Sequence, residues 1–386
     1  MSFLDKLVNP SAEQAGGVEV EWKTLGEVGE IRMCKRILKE QTSDSGEIPF
    51  YKIGTFGKEP NAFISRELFN EFKSKYNYPR TGEVLISASG TIGRAVIFDG
   101  FDAYFQDSNI VWIENDEKKI LNKYLFYFYQ VAKWEIAEGG TIQRLYNDNL
   151  KKTKIPIPPL EIQQKIVGIL DTFTELTAEL TAELTAELTA RKQQYSYYRE
   201  QLLSFEEGEV EWKTLGEVIT LQRGRRLVKS QLEVTGEYAV YQNALTPLGY
   251  YHESNVKANT TFIICAGAAG EIGFSDVDYW AADDVHSFIT PDFINSRYLF
   301  HFLQTQKNKI SSQVRRASIP RLSKNVLEKL LFPIPSLEEQ ERIVSILDKF
   351  DVLTTSISEG LPKEIELRQK QYEYYRNQLL SFSASR

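Results

Sequence analysis

The chain has 386 residues, 42% of them hydrophobic and 26% charged, with a formal net charge of -7. This composition argues against wholesale disorder, and the length is enough for two globular cores of ordinary size. No apolar run approaches the roughly 18 residues of a membrane span, and the first residues lack the apolar segment of a secretion signal. The only cysteines, Cys34 and Cys265, give neither a disulfide framework nor a zinc-ligand spacing with the histidines, so we predict a protein of the reducing cytoplasm.

Segments of the first half return in the second half. The repeated segments are EVEWKTLGEV at 19–28 and 209–218, PIPPLEIQ at 156–163 against PIPSLEEQ at 333–340, and RKQQYSYYR at 191–199 against RQKQYEYYR at 368–376. We therefore predict two copies of one plan, each with a globular part followed by a helical part. Neutral drift after an old duplication is the alternative, but drift would have altered the helical parts as much as the globular parts.

The first globular part is predicted to be mixed α/β. Strand-like runs at 83–86 and 95–98 flank the glycine turn of Gly90 and Gly93, and an aromatic helix-like run follows at 122–128. Lysine typically holds phosphates, whereas arginine and glutamine suit base edges. The candidate DNA-binding residues of this part are Lys52, Thr91, Arg94, Gln143 and Arg144.

A long amphipathic helix is predicted to follow the prolines Pro158 and Pro159. Its apolar stripe includes three consecutive copies of Thr-Ala-Glu-Leu at 177–188. A four-residue period overshoots the helical turn by about 40° per repeat, so the leucines wind around the helix and expose some apolar surface. The alternatives are a solvated amphipathic rod and a ruler that sets the distance between two reading domains.

The second globular part repeats this plan with different side chains. Gly267 and Gly270 fall opposite the first pair of glycines, and Asp284 falls opposite Asp107. Strand-like and helix-like runs lie at 261–264 and 296–302. The candidate DNA-binding residues of this part are Arg223, Arg225, Arg226, Arg315, Arg316 and Arg321.

A second helical stretch follows Ser336, which forms a capping box with Glu339. Its apolar stripe corresponds position by position to that of the first helix, so the two helices can pair in an antiparallel or a parallel arrangement. Gly360 and Pro362 interrupt the pattern and predict a kink.

Motifs for catalysis are not found in the sequence. The glycine segments lack the Lys-Ser/Thr of a P-loop and a full dinucleotide fingerprint, so a turn between strands is the favoured role. No amino-methyltransferase motif and no complete nuclease carboxylate motif occurs. We predict a non-catalytic protein without a cofactor or a metal of its own.

The duplicated segments and the Thr-Ala-Glu-Leu repeats resemble the DNA specificity subunit of type I restriction–modification systems, in the subgroup with such spacer repeats. The resemblance implies two mixed α/β target-recognition domains separated by two long antiparallel helices that form a coiled coil. It implies the following boundaries: a tail at 1–17, recognition domains at 18–158 and 208–335, and spacer helices at 159–207 and 336–386.

The resemblance also implies that the two domains bind a bipartite, asymmetric double-stranded DNA sequence. Two methyltransferase subunits with S-adenosylmethionine would dock on the helices, and restriction subunits would use ATP with Mg²⁺. The residues that we assign to partner docking are those of the repeated helix ends, namely Tyr195, Tyr198, Arg199, Tyr372, Tyr375 and Arg376.

Two other functions remain open at this point. A coiled-coil protein adaptor without nucleic acid fits the acidic net charge, whereas the arginine clusters disfavour it. A stand-alone DNA enzyme would need the motifs that are missing. A salt-dependent gel shift with the partner subunit present separates the adaptor from the DNA-binding protein.

Overall fold

The computed structural model describes residues 20–136, 143–206, 208–316, 318–355 and 359–382. The predicted tail at 1–17 lies outside these ranges. The chain divides into two compact units. The first unit contains the chain up to Thr181 together with the residues from Leu367 onward, and the second unit contains Ala182 to Glu366.

The first unit is mixed α/β, as predicted. Its strands are β1 (Glu21–Thr24), β2 (Ile31–Arg32), β3 (Ile48–Tyr51), β4 (Phe63–Ile64), β5 (Val84–Ser87), β6 (Ala95–Ile97), β7 (Tyr104–Phe105), β8 (Ile110–Ile113) and β9 (Lys154–Ile157). Its helices are α1 (Leu25–Val28), α2 (Arg66–Lys75), α3 (Asn122–Tyr129), α4 (Asn147–Lys152) and the first part of α5 (Leu160–Leu202). The strands form a four-stranded sheet β2-β8-β5-β6, a three-stranded sheet β4-β3-β7 and an antiparallel ribbon β1-β9.

The second unit repeats the strands in the same order, but among its described residues it has no helix at the place of α2 and has an additional helix at Lys307–Ser312. Its strands are β10 (Glu211–Thr214), β11 (Thr220–Arg223), β12 (Tyr238–Tyr241), β13 (Gly249–Tyr251), β14 (Thr260–Ile264), β15 (Ile272–Ser275), β16 (Trp280–Ala281), β17 (Val285–Ile289) and β18 (Leu331–Ile334). Its helices are α6 (Leu215–Val218), α7 (Ser296–Thr305), α8 (Lys307–Ser312), α9 (Lys324–Glu328), α10 (Leu337–Thr355) and the start of α11 (Gly360–Leu379). The sheets β11-β17-β14-β15 and β13-β12-β16 and the ribbon β10-β18 match those of the first unit.

The glycine segments form turns between antiparallel strands, as predicted, and not phosphate-binding loops between a strand and a helix. Gly90 and Gly93 join β5 to β6 with φ values of 64° and 84°. Gly267 and Gly270 join β14 to β15 with φ values of 82° and 95°. A side chain at these positions would be strained, which explains why both copies carry glycine there.

A buried glutamine fixes the start of each long helix to its globular part. Gln163 is fully buried, and its amide donates to the carbonyls of Pro158 at 2.7 Å and Lys119 at 2.8 Å. Gln340 occupies the same place in the second unit, where its amide donates to Pro335 at 2.9 Å. Because a buried amide without these partners would be costly, the glutamine holds the helix in one orientation.

The helix α5 is continuous over 43 residues, which corresponds to about 65 Å. The Thr-Ala-Glu-Leu repeats lie within it, and Leu176 just before them is 55% exposed. In the first unit α5 pairs with α11 in the antiparallel sense, because Phe173 contacts Tyr375 at 5.7 Å while Leu180 and Arg368 line a common cavity.

The second helical stretch is not one rod. Its helix α10 ends at Thr355, and α11 begins at Gly360, whose φ is 78°. The interruption falls where Gly360 and Pro362 predicted a kink. A residue with a left-handed backbone conformation cannot continue a right-handed α-helix, so the backbone changes direction at Gly360.

Each unit is completed by a helix end from the other half of the sequence. Leu379 at the end of α11 and Leu380 just after it belong to the hydrophobic cluster of the first unit, together with Leu25, and Phe382 packs against that cluster. Leu203, just after α5, belongs in the same way to the cluster of the second unit. The sequence Gln-Leu-Leu-Ser-Phe occurs at both 201–205 and 378–382. These two repeated segments therefore serve the fold by packing against the opposite half of the sequence.

Candidate nucleic-acid interface

The first unit holds a polar cavity of about 300 Å³ between β3, the β7–β8 loop and the residues before the 3-10 helix Lys39–Gln41. We call it the basic cavity and define it by the charged and amide side chains that line it: Arg36, Lys39, Lys52, Gln106, Asp107, Asn109 and Arg144. Two of these, Lys52 and Arg144, were predicted from the sequence. Arg36, Lys39 and Gln106 were missed, although the cluster of Lys35, Arg36 and Lys39 in the sequence could have marked two of them.

Hydrogen-bond donors dominate the basic cavity. The Oε1 atom of Gln106 accepts from the backbone of Ile53 at 2.9 Å, so the amide NH₂ is left to face the cavity. Asp107 accepts from Arg36 Nε at 2.9 Å and thereby holds that guanidinium in place. Donors in this arrangement match phosphate oxygens and the acceptor edge of guanine.

The other predicted residues of the first unit have separate positions. Arg94 is half-buried and donates from Nη1 to the Phe56 carbonyl at 2.9 Å, so it supports the fold of its own turn. Thr91 is exposed at that turn, and its carbonyl accepts from the Ser87 hydroxyl. Gln143 is exposed beside Arg144, which forms a β-bridge with Ser89.

The second unit presents exposed arginines at the corresponding places. Arg226 lies three residues before the 3-10 helix Lys229–Gln231, as Arg36 lies three residues before Lys39. Arg321 forms a β-bridge with Ala266, as Arg144 does with Ser89. The structure therefore brings the two arginines to equivalent positions in the two units.

The other four predicted arginines of the second unit are also exposed. Arg315 forms a backbone bridge with Arg321, and Arg223 donates to the Asp283 carbonyl at 3.0 Å. Arg225 and Arg316 are exposed as well. Within the described ranges, none of the six predicted arginines of this unit forms an ion pair, so their charge is available to a phosphate.

The alignment of Asp107 with Asp284 is wrong. The amide of Ala88 donates to the Asn109 carbonyl, and the equivalent amide of Cys265 donates to the Asp284 carbonyl. The loop from β7 to β8 spans 106–109, whereas the loop from β16 to β17 spans 282–284, so a fixed offset in sequence fails across it. The residue equivalent to Asp284 is Asn109.

The repeated helix ends contact their own chain. Tyr195 is buried and stacks on Phe350 with ring centroids 6.0 Å apart, which leaves little of its surface for a partner. Tyr198 is 39% exposed and also contacts Phe350. Arg199 lies over the Tyr195 ring at 5.0 Å.

The C-terminal copy of this segment is more accessible. Tyr372 and Tyr375 are half-buried, and the Tyr372 hydroxyl lies 3.0 Å from Thr174 Oγ1. Arg376 lies over the Tyr372 ring at 5.6 Å and donates to Gln130 at 3.0 Å. The tyrosine and arginine of each copy therefore form the same cation–π contact, which holds the arginine against the helix.

An acidic residue ties each globular part to its helix. Asp171 contacts Lys123 Nζ at 2.6 Å and accepts from the Tyr127 hydroxyl at 2.8 Å. Asp348 takes its place in the second unit and contacts Arg297 at 2.8 Å and His301 Nε2 at 2.7 Å.

The histidine of this second contact is fully buried. Burial lowers the pKa of His301. Burial also acts to raise the pKa of Asp348, but the hydrogen bonds from His301 and Arg297 outweigh it and lower that pKa. The neutral histidine with its proton on Nε2 satisfies Asp348 and can accept from the Tyr195 hydroxyl, 3.3 Å from Nδ1.

Groups with the chemistry of a nucleophile or a metal ligand are not assembled in the part of the chain that the structure describes. Burial raises the pKa of both Cys34 and Cys265 to about 12, so each thiol stays protonated near neutral pH. Over the same residues, no cluster of His, Cys, Asp and Glu that could hold a metal ion is found. None of the helices described is long and apolar enough to span a membrane.

Comparison with known proteins identifies the family. The family model of the type I restriction modification DNA specificity domain matches residues 17–190 and 207–367. The specificity subunit of the type I restriction enzyme EcoR124I/EcoR124II from Escherichia coli is 36% identical, over 99% of this chain and 97% of that protein.

Two further comparisons agree with this family. A putative type I restriction enzyme specificity subunit from Haemophilus influenzae is 67% identical over 47% of this chain, which spans 47% of that protein. A solved structure from work on complex assembly and conformational transition of the type I R-M system matches 94% of this chain and 97% of its own chain. Its TM-score is 0.67 at 15% sequence identity, so the two chains have the same fold. The chain thus belongs to the type I restriction–modification DNA specificity subunits, a family of non-catalytic subunits that recognise DNA sequence.

Proposed function

We propose that this chain reads a bipartite, asymmetric DNA sequence, one half with each unit. The observation that carries the proposal is the pair of equivalent arginines, Arg36 with Arg226 and Arg144 with Arg321, which occupy the same places in two copies of one fold. The neighbouring side chains differ between the copies. The same scaffold would therefore bind the phosphate backbone similarly while distinguishing different bases.

The chemistry around the arginines supports a difference in the bases that are read. The basic cavity offers Lys52 and the Gln106 amide as donors. At the corresponding place in the second unit, Asp284 accepts from Asn243 at 3.1 Å and forms no ion pair among the described residues, whereas the carboxylate of Asp107 in the basic cavity is paired with Arg36. A donor-rich site favours guanine, whereas a carboxylate and an amide together also accept from cytosine or adenine.

The partners follow from the family, and their number is our proposal. DNA, methyltransferase subunits and restriction subunits act with specificity subunits of this family. We propose two methyltransferase subunits, each holding S-adenosylmethionine, and restriction subunits that use ATP with Mg²⁺, all in the cytoplasm. The side chains that we assign to docking are Tyr198, Arg199, Tyr372, Tyr375 and Arg376.

The Thr-Ala-Glu-Leu repeats are proposed to set the gap between the two half-sequences. They lie in α5 at 177–188, and the boundary between the two units falls at Thr181 within them. A continuous helix transmits a change in its length because its backbone hydrogen bonds leave little freedom to bend. These features support a role as a ruler and the place of this chain in the subgroup with spacer repeats.

Sequencing of the methylated bases in a host that expresses this chain with its methyltransferase subunit tests the proposal. We expect methylated adenine in one motif composed of two different short sequences separated by a fixed gap. A continuous motif, or a palindromic motif with two equal halves, would contradict the assignment of different half-sequences to the two units.

A further inference from the structure

The segment that the two halves share without any difference is only partly explained by folding. Leu25 and Leu215 are fully buried, so each anchors its unit. Thr24 and Glu27 form a capping box with backbone and side-chain bonds of 2.7 and 2.6 Å, and the second copy repeats it. These contacts account for the leucine, the threonine and one glutamate of the repeated segment.

The tryptophan of this segment has no such explanation. Trp22 is 38% exposed and Trp212 is 42% exposed, although tryptophan at a surface costs solubility. The other tryptophans of the chain are buried at Trp112 and Trp280 and half-buried at Trp134. In both copies the indole lies on the two-stranded ribbon opposite a proline of β9 or β18.

The charged side chains beside both tryptophans already have partners within the repeated segment. Lys23 pairs with Glu21 at 3.0 Å, and Lys213 pairs with Glu211 at 3.0 Å. Glu27 and Glu217 accept hydrogen bonds from the capping threonines. Within the described part of the segment no unpaired cation is therefore left to hold a phosphate, whereas an exposed indole beside paired charges suits the surface of another protein.

The duplication restricts the partner further. The two units carry different side chains where they would meet DNA, so surfaces that face different bases differ. An exposed surface that is the same in both units must meet the same partner twice. Tryptophan is the residue type most often found at the energetic centre of protein interfaces.

We propose that Trp22 on β1 and Trp212 on β10 are the centres of two equal docking surfaces, each of which binds one methyltransferase subunit. The inference rests on the proposed function, which requires two copies of that subunit. The ribbon strands β9 and β18 lead into α5 and α10 after two residues, so each tryptophan lies beside the strand that enters a long helix.

The test counts methyltransferase subunits bound to the full chain by native mass spectrometry. We expect two subunits on the unaltered chain, one on Trp22→Ala, one on Trp212→Ala and none on the double variant, with each altered site weakened at least about tenfold. Trp22→Phe and Trp212→Phe should retain part of the affinity. The matched controls are Phe101→Ala and Phe293→Ala, which remove an exposed aromatic side chain from each unit and should leave two subunits bound.

A second measurement needs no substitution. In fluorine NMR of the fluorotryptophan-labelled chain, two of the five tryptophan signals should be solvent-exposed and should shift when unlabelled methyltransferase subunit is added. Unchanged signals, or two subunits bound to the double variant with unaltered affinity, would overturn the docking surfaces. Altered self-association of the variants with normal methyltransferase binding would overturn them too, in favour of a contact between copies of this chain. An unaltered chain that binds no methyltransferase subunit would instead contradict the proposed function itself.

Discussion

At the scale of single residues, equivalent arginines differ in how they are held. Arg36 is oriented by Asp107, whereas no carboxylate of the described residues pairs with Arg226. A fixed guanidinium loses less conformational freedom on binding, and its carboxylate partner also offsets part of its charge. The first unit therefore has the geometry for an oriented contact, and the second unit has more free positive charge.

The first prediction concerns these arginines. Arg144→Ala should weaken DNA binding of the assembled complex and relax discrimination of one half-sequence, while Arg321→Ala should do the same for the other half-sequence only. If the arginine contacts a base, the binding free energy should weaken by about 1–3 kcal/mol. If it contacts a phosphate, the slope of the logarithm of the binding constant against the logarithm of the salt concentration should fall by about one. Fluorescence anisotropy with duplexes in which one half is scrambled measures both effects.

The control for this experiment is Arg66→Ala, since Arg66 is also exposed but is already paired with Asp102 and Glu47. It should change neither the affinity nor the discrimination. Equal effects of Arg144→Ala and Arg321→Ala on both half-sequences would contradict the division of reading between the units.

The second prediction concerns His301. Its pKa is lower in the folded chain than in the unfolded chain, so folding favours the neutral ring, which lies among Asp348, Tyr195, Arg297 and the more distant Asp351. This contribution to stability is present above the unfolded pKa of about 6.5 and is lost as the pH falls below it.

Between pH 7.5 and 5.5 the loss should amount to at most about 1.4 kcal/mol in the second unit. Hydrogen exchange of the α7 amides, corrected for the intrinsic rate at each pH, measures it. In His301→Gln this part of the pH dependence should disappear, and the α3 amides of the first unit, where Tyr127 takes the place of the histidine, provide the control. An equal pH dependence in the variant would refute the assignment to His301.

At the scale of elements, the repeated motifs each have a structural task. The buried Gln163 and Gln340 fix the helix starts, and the Gln-Leu-Leu-Ser-Phe segments pack the helix ends. By contrast, the Thr-Ala-Glu-Leu repeats contain no fully buried residue along 177–188. A segment with so few buried contacts can change in length without a large loss of packing.

The third prediction follows from this property of α5. Deletion of residues 185–188 removes about 6 Å of helix, against about 3.4 Å of DNA axis per base pair. For a helix inclined to the DNA axis, this should shorten the gap in the recognised motif by roughly one base pair, with both half-sequences unchanged. Methylome sequencing of a host with the shortened chain reads out the gap. Deletion of two residues instead of four is the comparison, because it rotates the helix by about half a turn and should abolish methylation. Recognition of new bases at the original gap would disprove the ruler.

At the scale of the whole molecule, sequence halves and structural units do not coincide. Leu380 near the C-terminus is 5% exposed in the core of the first unit, and Leu203 from the first half of the sequence is 5% exposed in the core of the second. Either half of the chain by itself would lack a part of its core. The exchange of helix ends therefore makes each unit dependent on both halves of the sequence.

The fourth prediction tests this exchange. Leu380→Ala should destabilise the first unit by about 2–5 kcal/mol and leave the second unchanged, whereas Leu203→Ala should do the reverse. Hydrogen exchange of the α3 amides reports on the first unit, and that of the α7 amides reports on the second. If Leu380→Ala acted on the second unit instead, the division of the chain into these units would be incorrect.

The sequence by itself determined the duplication, the mixed α/β class, the glycine turns, the long helix and the interruption at Gly360, because each depends on local periodicity or on backbone conformations that few residue types adopt. It also determined the family, since the repeated segments are long enough to be specific. Only the tertiary structure brought Arg36 and Gln106 to Arg144, corrected the partner of Asp284 to Asn109, and showed that Tyr195 is buried while Trp22 and Trp212 are exposed. These facts depend on loop lengths and on contacts between residues far apart in the chain, which local patterns do not encode.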